Sequence, residues 1–315
     1  MSKLFIAGAG LSGLIAARML INRRPVVFDQ QHRLPNNHSA LLRFRTDAVA
    51  VATNTQFRKV RVLKDVVESR GPVADAVAYS LKVTGKLHNR SILSLEPVDR
   101  WIAPPDLIQR LADSCYPELS ISLQNHLDSP EAYEGTKLHP LISTLPMPVL
   151  MDVMKWEGPR PEFKSQVGWV VRGKLRPDMD SRISATLYAP HGGRHWYRAS
   201  ITYDDLIVEG VGQFPDVTVH SVIRQVEEDF ALPIYSVHEE SIGVRESHYQ
   251  KIEELRGVDL EYARRFIMAM TERHGIYSLG RFATWRPHVL LDDIVNDVRA
   301  IERLLDGDSG YSLRL

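Results

Sequence analysis

The stretch Leu4-Phe5-Ile6-Ala7-Gly8-Ala9-Gly10-Leu11-Ser12-Gly13 decides how this chain folds. It is an apolar run that enters three glycines with the spacing GxGxxG. A helical pattern of apolar residues follows over residues 14–20, and a second apolar run over residues 26–28 stops at Asp29. The order of strand, glycine-rich turn, helix, strand and acid predicts a βαβ unit.

Each glycine of this motif has a physical role. Gly8 permits a tight turn out of the strand, Gly10 lets a phosphate approach the backbone, and Gly13 lets the helix pack closely on the strand. The first amides of the helix point toward the phosphates, and Asp29 can accept hydrogen bonds from ribose hydroxyls. The motif therefore predicts a dinucleotide site. The plainer alternative is a tight turn followed by an ordinary acid at a strand end.

The composition is that of an ordinary globular protein. A length of 315 residues indicates about two domains. Lys plus Arg and Asp plus Glu both number 39, so no net charge draws the whole chain to nucleic acid or to a membrane. The single cysteine, Cys115, excludes an intramolecular disulfide framework and a redox-active cysteine pair. No apolar stretch approaches the roughly 20 residues that span a bilayer, so we expect no membrane partner. We also expect no metal site.

A change of pattern in the middle of the chain predicts a second, β-rich region. Successive strands separated by Gly, Pro and Asp turns are expected over residues 166–172, 182–189, 196–202 and 206–210. The predicted fold class is α/β (α+β overall), with a Rossmann-like domain on a central parallel sheet and an inserted, mostly antiparallel sheet. The Rossmann-like domain is assigned to residues 1–55, 96–150 and 265–315, and the inserted domain to residues 56–95 and 151–264.

The far end of the chain carries a second segment suited to a ligand. A strand is expected over residues 275–279, and the amphipathic pattern of residues 291–305 predicts a closing helix. Between them, Gly280 allows the backbone to approach a ligand closely, and Arg281 supplies a cation for a pyrophosphate. The start of the closing helix offers further N–H donors.

Four stretches together resemble a known family. They are the glycine motif, the polar loop 29–38, the strand Ile142-Ser143-Thr144-Leu145-Pro146, and the segment from Tyr277 through Gly280-Arg281 to Asp292. They resemble the FAD-binding fold of glutathione reductase type, especially the group of flavin amine oxidases and UDP-galactopyranose mutase, and its compact members from bacteriophages. Pro35-Asn36 stands where that family has a pair of glycines.

The resemblance implies FAD as the cofactor, held between the two ends of the chain. It implies cofactor contacts from Gly8, Gly10, Leu11, Ser12, Gly13, Asp29, Gln30, Asn37, His38, Pro146, Gly280, Arg281, Trp285 and Asp292. His38 is also the candidate catalytic residue, because an imidazole titrates near neutral pH. Plainer roles stay open for three of them: a solvent-facing loop residue for His38, a surface ion pair for Arg281, and a core aromatic for Trp285.

The inserted region is expected to cover the flavin and form the substrate pocket, and the candidates for substrate binding are Arg43, Arg45, Tyr79 and Arg198. Arginine suits bidentate recognition of a carboxylate or phosphate, so we expect an anionic partner that is a small molecule or contains a nucleotide. The alternative for each arginine is a solvated charge on a strand face. No second GxGxxG follows, which argues against a dedicated NAD(P)H domain and a pyridine-nucleotide disulfide reductase.

Four functions remain open from the sequence. The favoured one is an FAD-dependent oxidoreductase of the amine-oxidase kind, which takes a hydride from a carbon that bears nitrogen. The others are a mutase-like enzyme acting on a nucleotide sugar, a phage flavoenzyme acting on a modified base in DNA, and a flavin-binding protein without catalysis. The expected location is the cytoplasm, or the host cytoplasm for a phage protein. The oligomeric state is not predicted.

Overall fold

The computed structural model describes residues 3–34, 42–87, 91–113, 120–123, 139–177 and 183–307. Within these ranges the chain forms two β-sheets covered by α-helices. The predicted site residues Asn37 and His38, together with Cys115, lie outside the described residues. In the described ranges, no helix combines the length and apolarity that crossing a membrane requires.

The first sheet is parallel and contains the glycine motif. Its strands, in spatial order, are β13 (Ile276–Ser278), β7 (Leu141–Ser143), β1 (Phe5–Ala7), β2 (Val26–Phe28) and β6 (Ser120–Ser122). Phe5 in the central strand pairs with Val26 on one side and with Leu141 on the other. The expected central parallel sheet is therefore confirmed, and it joins strands from both ends of the chain.

Helices cover both faces of the first sheet. Ile6 and Ala7 follow each other in β1 and enter two different buried cores, because successive strand residues point to opposite faces. The core around Ile6 includes residues of α1 (Leu11–Met19), α2 (Ala48–Thr53), α4 (Leu107–Asp113) and α8 (Leu291–Leu305). The core around Ala7 includes residues of α5 (Met147–Val153) and α7 (Gly257–His274).

The second sheet is long, mixed and curled. Its strands, in spatial order, are β12 (Gly243–Ile252), β8 (Ser165–Lys174), β11 (Asp205–Val211), β10 (Trp196–Thr202), β9 (Ser184–Tyr188), β4 (Arg58–Val66), β5 (Val98–Ile102) and β3 (Arg43–Phe44). Its paired strands run antiparallel except β4 and β9, which are parallel. The expected second sheet is confirmed.

The second sheet has an apolar face and a face that carries a group of polar side chains. The apolar face packs Trp169, Val171 and Val208 against Val222 and Val226 of α6 (Val219–Asp229). The opposite face, called the polar face below, carries Lys64, Thr186, Arg198, Ser200, Thr202 and Glu209, which strand register places side by side. Polar side chains grouped on one face of a sheet are suited to binding a polar ligand.

Helix α3 (Pro72–Thr84) lies on the polar-face side of the second sheet. Its Tyr79 ring contacts the rings of Tyr188 and Tyr197, with centroids 5.2 and 6.0 Å apart. Short 3₁₀ turns at Ile21–Arg23, Ser91–Leu93 and Glu239–Ser241 complete the described elements.

The second sheet also takes strands from ranges that were assigned to the Rossmann-like domain. Strands β3 and β5 lie within residues 1–55 and 96–150, yet both pair at the far edge of the second sheet. The chain thus crosses between the sheets more often than its sequence pattern suggests. The division into two discontinuous domains stays a prediction.

Candidate functional site

The three glycines of the motif have different surroundings. A Cβ on Gly13 would lie 1.9 Å from the carbonyl oxygen of Gly8, and a Cβ on Gly8 would lie 2.1 Å from Oγ1 of Thr144. Gly8 also has a φ of +105°, which favours glycine. Gly10 differs, because a Cβ there would meet nothing within 4 Å. Two glycines therefore close the turn, and Gly10 leaves open space in front of the backbone.

The N-terminus of α1 opens into that space. The helix begins after Gly10, and no side chain caps it there. The first bond of the helix runs from the amide of Leu14 to the carbonyl of Gly10. The amides of Leu11, Ser12 and Gly13 precede this bond, so helix geometry leaves them without an intrahelical acceptor. Such an end is suited to an anion.

Asp29 holds the glycine turn from the end of β2. Its Oδ2 accepts the amide of Ala9 at 2.6 Å, and its Oδ1 accepts the amide of Gln31 at 2.8 Å. A carboxylate oxygen has more than one lone pair, so both oxygens can still accept a hydroxyl. The ribose contact of Asp29 stays a prediction. Gln30 is exposed beside it.

The far end of the chain closes on the glycine turn. Gly280 has a φ of +99°, and a Cβ there would lie 3.1 Å from Oγ of Ser12. The amide of Leu279 bonds the carbonyl of Ser143, so this segment continues the parallel sheet. Pro146 begins α5 nearby, where the amide of Met147 bonds the carbonyl of Phe282. The structure therefore brings together the glycine turn, the Pro146 segment and Gly280.

Asp292 lies in the first turn of α8 and fastens the chain after β3. Its carboxylate accepts the amide of Arg45 at 3.1 Å, and the amide and hydroxyl of Thr46 at 3.0 and 2.9 Å. These bonds satisfy the side chain with protein donors. Asp292 thus positions the helix N-terminus, and any direct cofactor contact through its carboxylate stays a prediction.

Trp285 is buried in the core on the α5 and α7 side of the first sheet. Only 2% of its surface is exposed, and the centroid of its ring lies 4.6 Å from the centroid of the Phe163 ring in an edge-on contact. This placement favours the core role over a cofactor contact. A sequence cannot separate the two roles, because an aromatic residue after Gly-Arg suits both.

A cleft connects the Gly280 segment to the second sheet. Its volume is about 340 Å³, and its walls include Arg281 and His288 from the C-terminal part and Gln166 and Lys251 from the sheet. Acidic residues also line it, but they pair with neighbours: Lys86 bonds Glu253, and Arg256 bonds Glu254 at 2.9 Å. The cations Arg281 and Lys251 give the cleft a positive character suited to an anion.

A charged network lies on the polar face next to this cleft. Glu209 accepts hydrogen bonds from Arg198 and, at 3.1 Å, from the hydroxyl of Tyr197. Lys251 lies 5.1 Å from the centroid of the Tyr197 ring. Burial raises the pKa of Glu209, but the charges of Arg198 and Lys251 outweigh it and hold the pKa below its usual value. Glu209 is therefore an anion that orients Arg198.

Arg198 keeps a usable surface in this network. About a third of its side chain (35%) is exposed, whereas Glu209 is 13% exposed. Burial lowers the pKa of Arg198, but Glu209 more than offsets it, so the net pKa is raised. Arg198 thus stays charged, and its place at a substrate site stays a prediction.

Arg43 is held by the middle of the second sheet. Its guanidinium donates to Oγ1 of Thr186 at 2.6 Å, to Oγ1 of Thr202, and to the carbonyls of Ala185 and Ile201. Burial, and next the charge of Arg198, lower the pKa of Arg43 to about 9. Its donors are occupied by protein acceptors. Arg43 therefore organises the polar face, and a substrate contact through it stays a prediction.

The other two substrate candidates have different surroundings. Tyr79 is 3% exposed and packs with Tyr188, so its ring is part of a buried aromatic cluster. Arg45 is exposed beside Asp292. Sequence reasoning missed Glu209 and Lys251. A signal for Glu209 existed, because a two-residue turn between β10 and β11 pairs Thr202 with Asp205 and so brings Arg198 opposite Glu209.

In the described part of the chain, no group of three or more His, Cys, Asp or Glu side chains is placed to hold a metal ion.

Two sheets, the glycine turn and its closing segment define a Rossmann-type fold of the kind found in FAD-dependent enzymes. The expected fold class is confirmed on that basis.

Comparison with solved structures gives particular examples of this fold. A reduced UDP-galactopyranose mutase superposes with a TM-score of 0.66 at 15% identity, over 97% of this chain and 94% of that one. A protein from Exiguobacterium described as a protoporphyrinogen oxidase gives 0.60 at 9% identity, over 98% and 99%. An enzyme from Pseudomonas aeruginosa described as an FAD-dependent monooxygenase gives 0.55 at 13% identity, over 99% and 88%.

These likenesses span nearly the whole chain, and at such low identity they show the fold. No protein-family model matches the chain, and no curated protein matches it in sequence. The chemistry must therefore be argued from the residues of this chain.

Proposed function

We propose that this chain is an FAD-dependent oxidoreductase that acts on an anionic substrate. One observation carries the proposal: Gly280 at one end of the chain meets Ser12 of the glycine turn at the other. A glycine turn that bound a nucleotide alone would need no contact with the other end of the chain. FAD is a longer molecule, and it would extend from the glycine turn toward the second sheet and contact both the turn and the Gly280 segment.

The residues of the turn suit FAD in their chemistry. The amides of Leu11, Ser12 and Gly13 would bind the pyrophosphate, and Asp29 would accept a ribose hydroxyl. Arg281 would supply positive charge beside the closing segment. The open space before Gly10 is the observation that supports close approach of a ligand. When bound, FAD supplies a two-electron acceptor, and the protein supplies position and charge.

The proposed substrate site is the cleft between Arg281 and Lys251, together with Arg198 on the polar face. The cations would bind a carboxylate or phosphate and so fix the orientation of the substrate. Glu209 would hold Arg198 in place. In the favoured reaction the substrate loses a hydride from a carbon that bears nitrogen, and the nitrogen loses a proton, which leaves an imine that water hydrolyses.

Cofactor binding is tested first. The purified protein should show a flavin absorbance spectrum, or acquire one when FAD is added. Gly10→Glu, which brings bulk and negative charge to the open side of the turn, should abolish it. Gly192→Glu is a matched control, because a Cβ on Gly192 also meets nothing within 4 Å. A wild-type protein that stays colourless with excess FAD contradicts the proposal.

The substrate class is tested with the loaded protein. Amines and amino acids are added without oxygen, and the loss of flavin absorbance near its visible maximum is followed. An amino acid that bleaches the flavin and releases ammonia on turnover supports C–N oxidation. Failure of every amine and amino acid, in a protein that dithionite reduces readily, contradicts that chemistry while leaving cofactor binding intact.

A second candidate is a mutase-like reaction on a nucleotide sugar. It is favoured by the likeness to UDP-galactopyranose mutase, which extends over 94% of that chain. Such a reaction has no net redox change and needs reduced flavin. Interconversion of a nucleotide sugar only after reduction with dithionite would select this candidate over the first.

A further inference from the structure

The polar face opens into a second cavity at its other end. This cavity has a volume of about 670 Å³ and lies between the start of β4, the end of β5 and the turn that joins β10 to β11. It shares no lining residue with the cleft at Arg281. Thr202, which lines it, lies four residues along β10 from Arg198, or about 13 Å at the usual rise of a strand. The two spaces are therefore separate.

The cavity has the size and mixed lining of a small-molecule site. Pockets for such ligands measure about 300–1,000 Å³ and combine an apolar wall with few polar groups. Here the apolar wall is built from Phe57, Ile102, Pro104 and Pro105. The charged lining comprises the four cations Arg58, Lys59, Arg110 and Arg172 and the two acids Asp204 and Asp205. The lining thus carries an excess of positive charge.

Three of these cations already have carboxylate neighbours. Lys59 lies 2.9 Å from Asp99, Arg110 lies 2.7 Å from Asp106, and Arg172 lies 3.8 Å from Asp205. Arg58 is different, because no carboxylate among the described residues forms an ion pair with it. The positive charge of Arg58 is therefore the one that an anionic ligand can neutralise.

Arg58 is also held in a defined orientation. The carbon of its guanidinium lies 3.3 Å from the centroid of the Tyr203 ring, so the cation lies over the face of the ring. Stacking uses one face of the guanidinium and leaves its second face and its N–H groups available. Tyr203 occupies the turn between β10 and β11 with a φ of +59°. Tyr203 of the hairpin thus contacts the guanidinium of Arg58 from β4 at the cavity wall.

We infer that this cavity binds a nucleoside monophosphate, with the phosphate on Arg58 and the base against the apolar wall. A planar cation stacked on an aromatic ring recognises phosphate through its N–H edge and bases through its face. The several acceptor oxygens of a phosphate suit the N–H groups of the Arg58 guanidinium. The site is distinct from the cofactor turn, and the inference does not rest on the proposed function.

The test is isothermal titration of the FAD-saturated protein with adenosine and uridine 5′-monophosphates. We expect one saturable site per chain for at least one of them. The nucleoside without phosphate should bind at least about tenfold more weakly, and inorganic phosphate and benzoate likewise, since each lacks one half of the recognised chemistry. FAD saturation keeps the probe out of the glycine turn.

Variants then locate the site. Arg58→Gln should weaken binding by at least about tenfold, and Arg58→Lys, which keeps the charge without the planar fork, by about three- to fivefold. Arg61→Gln is the matched control, because Arg61 lies on the same strand, points to the opposite face and pairs with Asp99 at 3.1 Å. Tyr203→Phe, which keeps the ring, should bind like the wild type.

Several outcomes would overturn the inference. They are the absence of saturable binding to both nucleotides, equal affinity for nucleoside and nucleotide, and equal affinity in Arg58→Gln and Arg61→Gln. Thermal melting of each variant shows whether it is folded, and Arg58→Lys gives the same comparison if Arg58→Gln does not fold. Because Arg58 lies outside the cofactor turn, the result is informative even if the protein holds no FAD.

Discussion

The two sheets build their sites from different materials. In the first sheet the site is made of backbone: a glycine turn, the amides at the start of α1, and Gly280 against Ser12. In the second sheet it is made of side chains that come from separate strands, such as Arg198 and Glu209. Backbone sites follow from local sequence, whereas side-chain sites depend on which strands become neighbours.

This difference determines how each region responds to substitution. In the first sheet, the room for a Cβ atom at each glycine decides how much a substitution destabilises the protein. This room differs sharply between Gly13, which has none, and Gly10, which has open space. In the second sheet a substitution removes bonds from a network that can partly rearrange. The largest losses of stability are therefore expected in the glycine turn, and the smallest on the exposed side of helix α3.

Gly13→Ala should destabilise the protein most. The new Cβ would lie 1.9 Å from the carbonyl oxygen of Gly8, and backbone cannot yield as a flexible side chain does. Overpacking of this kind costs about 3 kcal/mol of the free energy of unfolding, with loss of flavin binding. Unfolding in urea, followed by circular dichroism, measures the change.

Gly10→Ala is the matched control for this substitution. It has open space for the Cβ and a φ of −73°, so stability should stay within about 0.5 kcal/mol of the wild type. Equal destabilisation of the two variants would show that the turn is not packed as described, and would remove the contrast between its glycines.

Arg43→Met tests the organising role of the arginine that bonds across the second sheet. It removes the hydrogen bonds to Thr186, Thr202 and the carbonyls of Ala185 and Ile201. The loss should cost roughly 2 kcal/mol, because charged hydrogen bonds in a buried setting are worth more than exposed ones. Arg45→Met, two residues on and exposed, should cost less than about 0.5 kcal/mol. A neutral Arg43→Met would mean that these hydrogen bonds do not organise the sheet.

The sequence indicated these two regions to different degrees. The glycine turn, the closing helix over residues 291–305 and strands β8 to β11 of the second sheet could be predicted, because each follows from local periodicity or a motif. The partner of Arg198 and the anchoring of Arg43 could not, since they depend on how far the sheet curls. Strands β3 and β5 illustrate the limit, because their pairing joins segments more than fifty residues apart.

Glu209→Gln should make the stability of the folded protein less dependent on pH. The folded-state pKa of Glu209 lies below its usual value of 4.5, so its charge stabilises the fold above that value. This contribution is lost as the pH falls through the folded-state pKa. At pH 7 the variant should be about 1–2 kcal/mol less stable than the wild type, and the difference should shrink below pH 4.5.

Urea unfolding between pH 3 and pH 7 measures that difference. The exposed Glu240→Gln provides the control, and its difference from the wild type should stay near zero throughout. A gap between wild type and Glu209→Gln that widens as the pH falls has the wrong sign for a carboxylate of lowered pKa. It would mean that Glu209 is protonated in the folded protein.

Helix α3 was missed because its amphipathic pattern is inverted. Asp75, Tyr79 and Ser80 are buried, while Val73 and Val77 are exposed, so periodicity indicates the wrong face. The burial has a local cause. Oδ1 of Asp75 accepts the amide of Arg70 at 2.9 Å and lies 2.8 Å from Nε2 of His191 in the hairpin. The polar contacts fix the helix, and the apolar side chains of Val73 and Val77 are left outside.

Val77→Gln should consequently have almost no effect on stability. Val77 is 41% exposed and Val83 is 1% exposed on the same helix. The first substitution should change the free energy of unfolding by less than about 0.5 kcal/mol, and Val83→Gln, which buries an amide, should lower it by about 3 kcal/mol. Urea unfolding of the two variants makes the comparison directly. A costly Val77→Gln would show that the exposed apolar side of α3 is covered, and that the polar contacts of Asp75 do not alone decide which face turns inward.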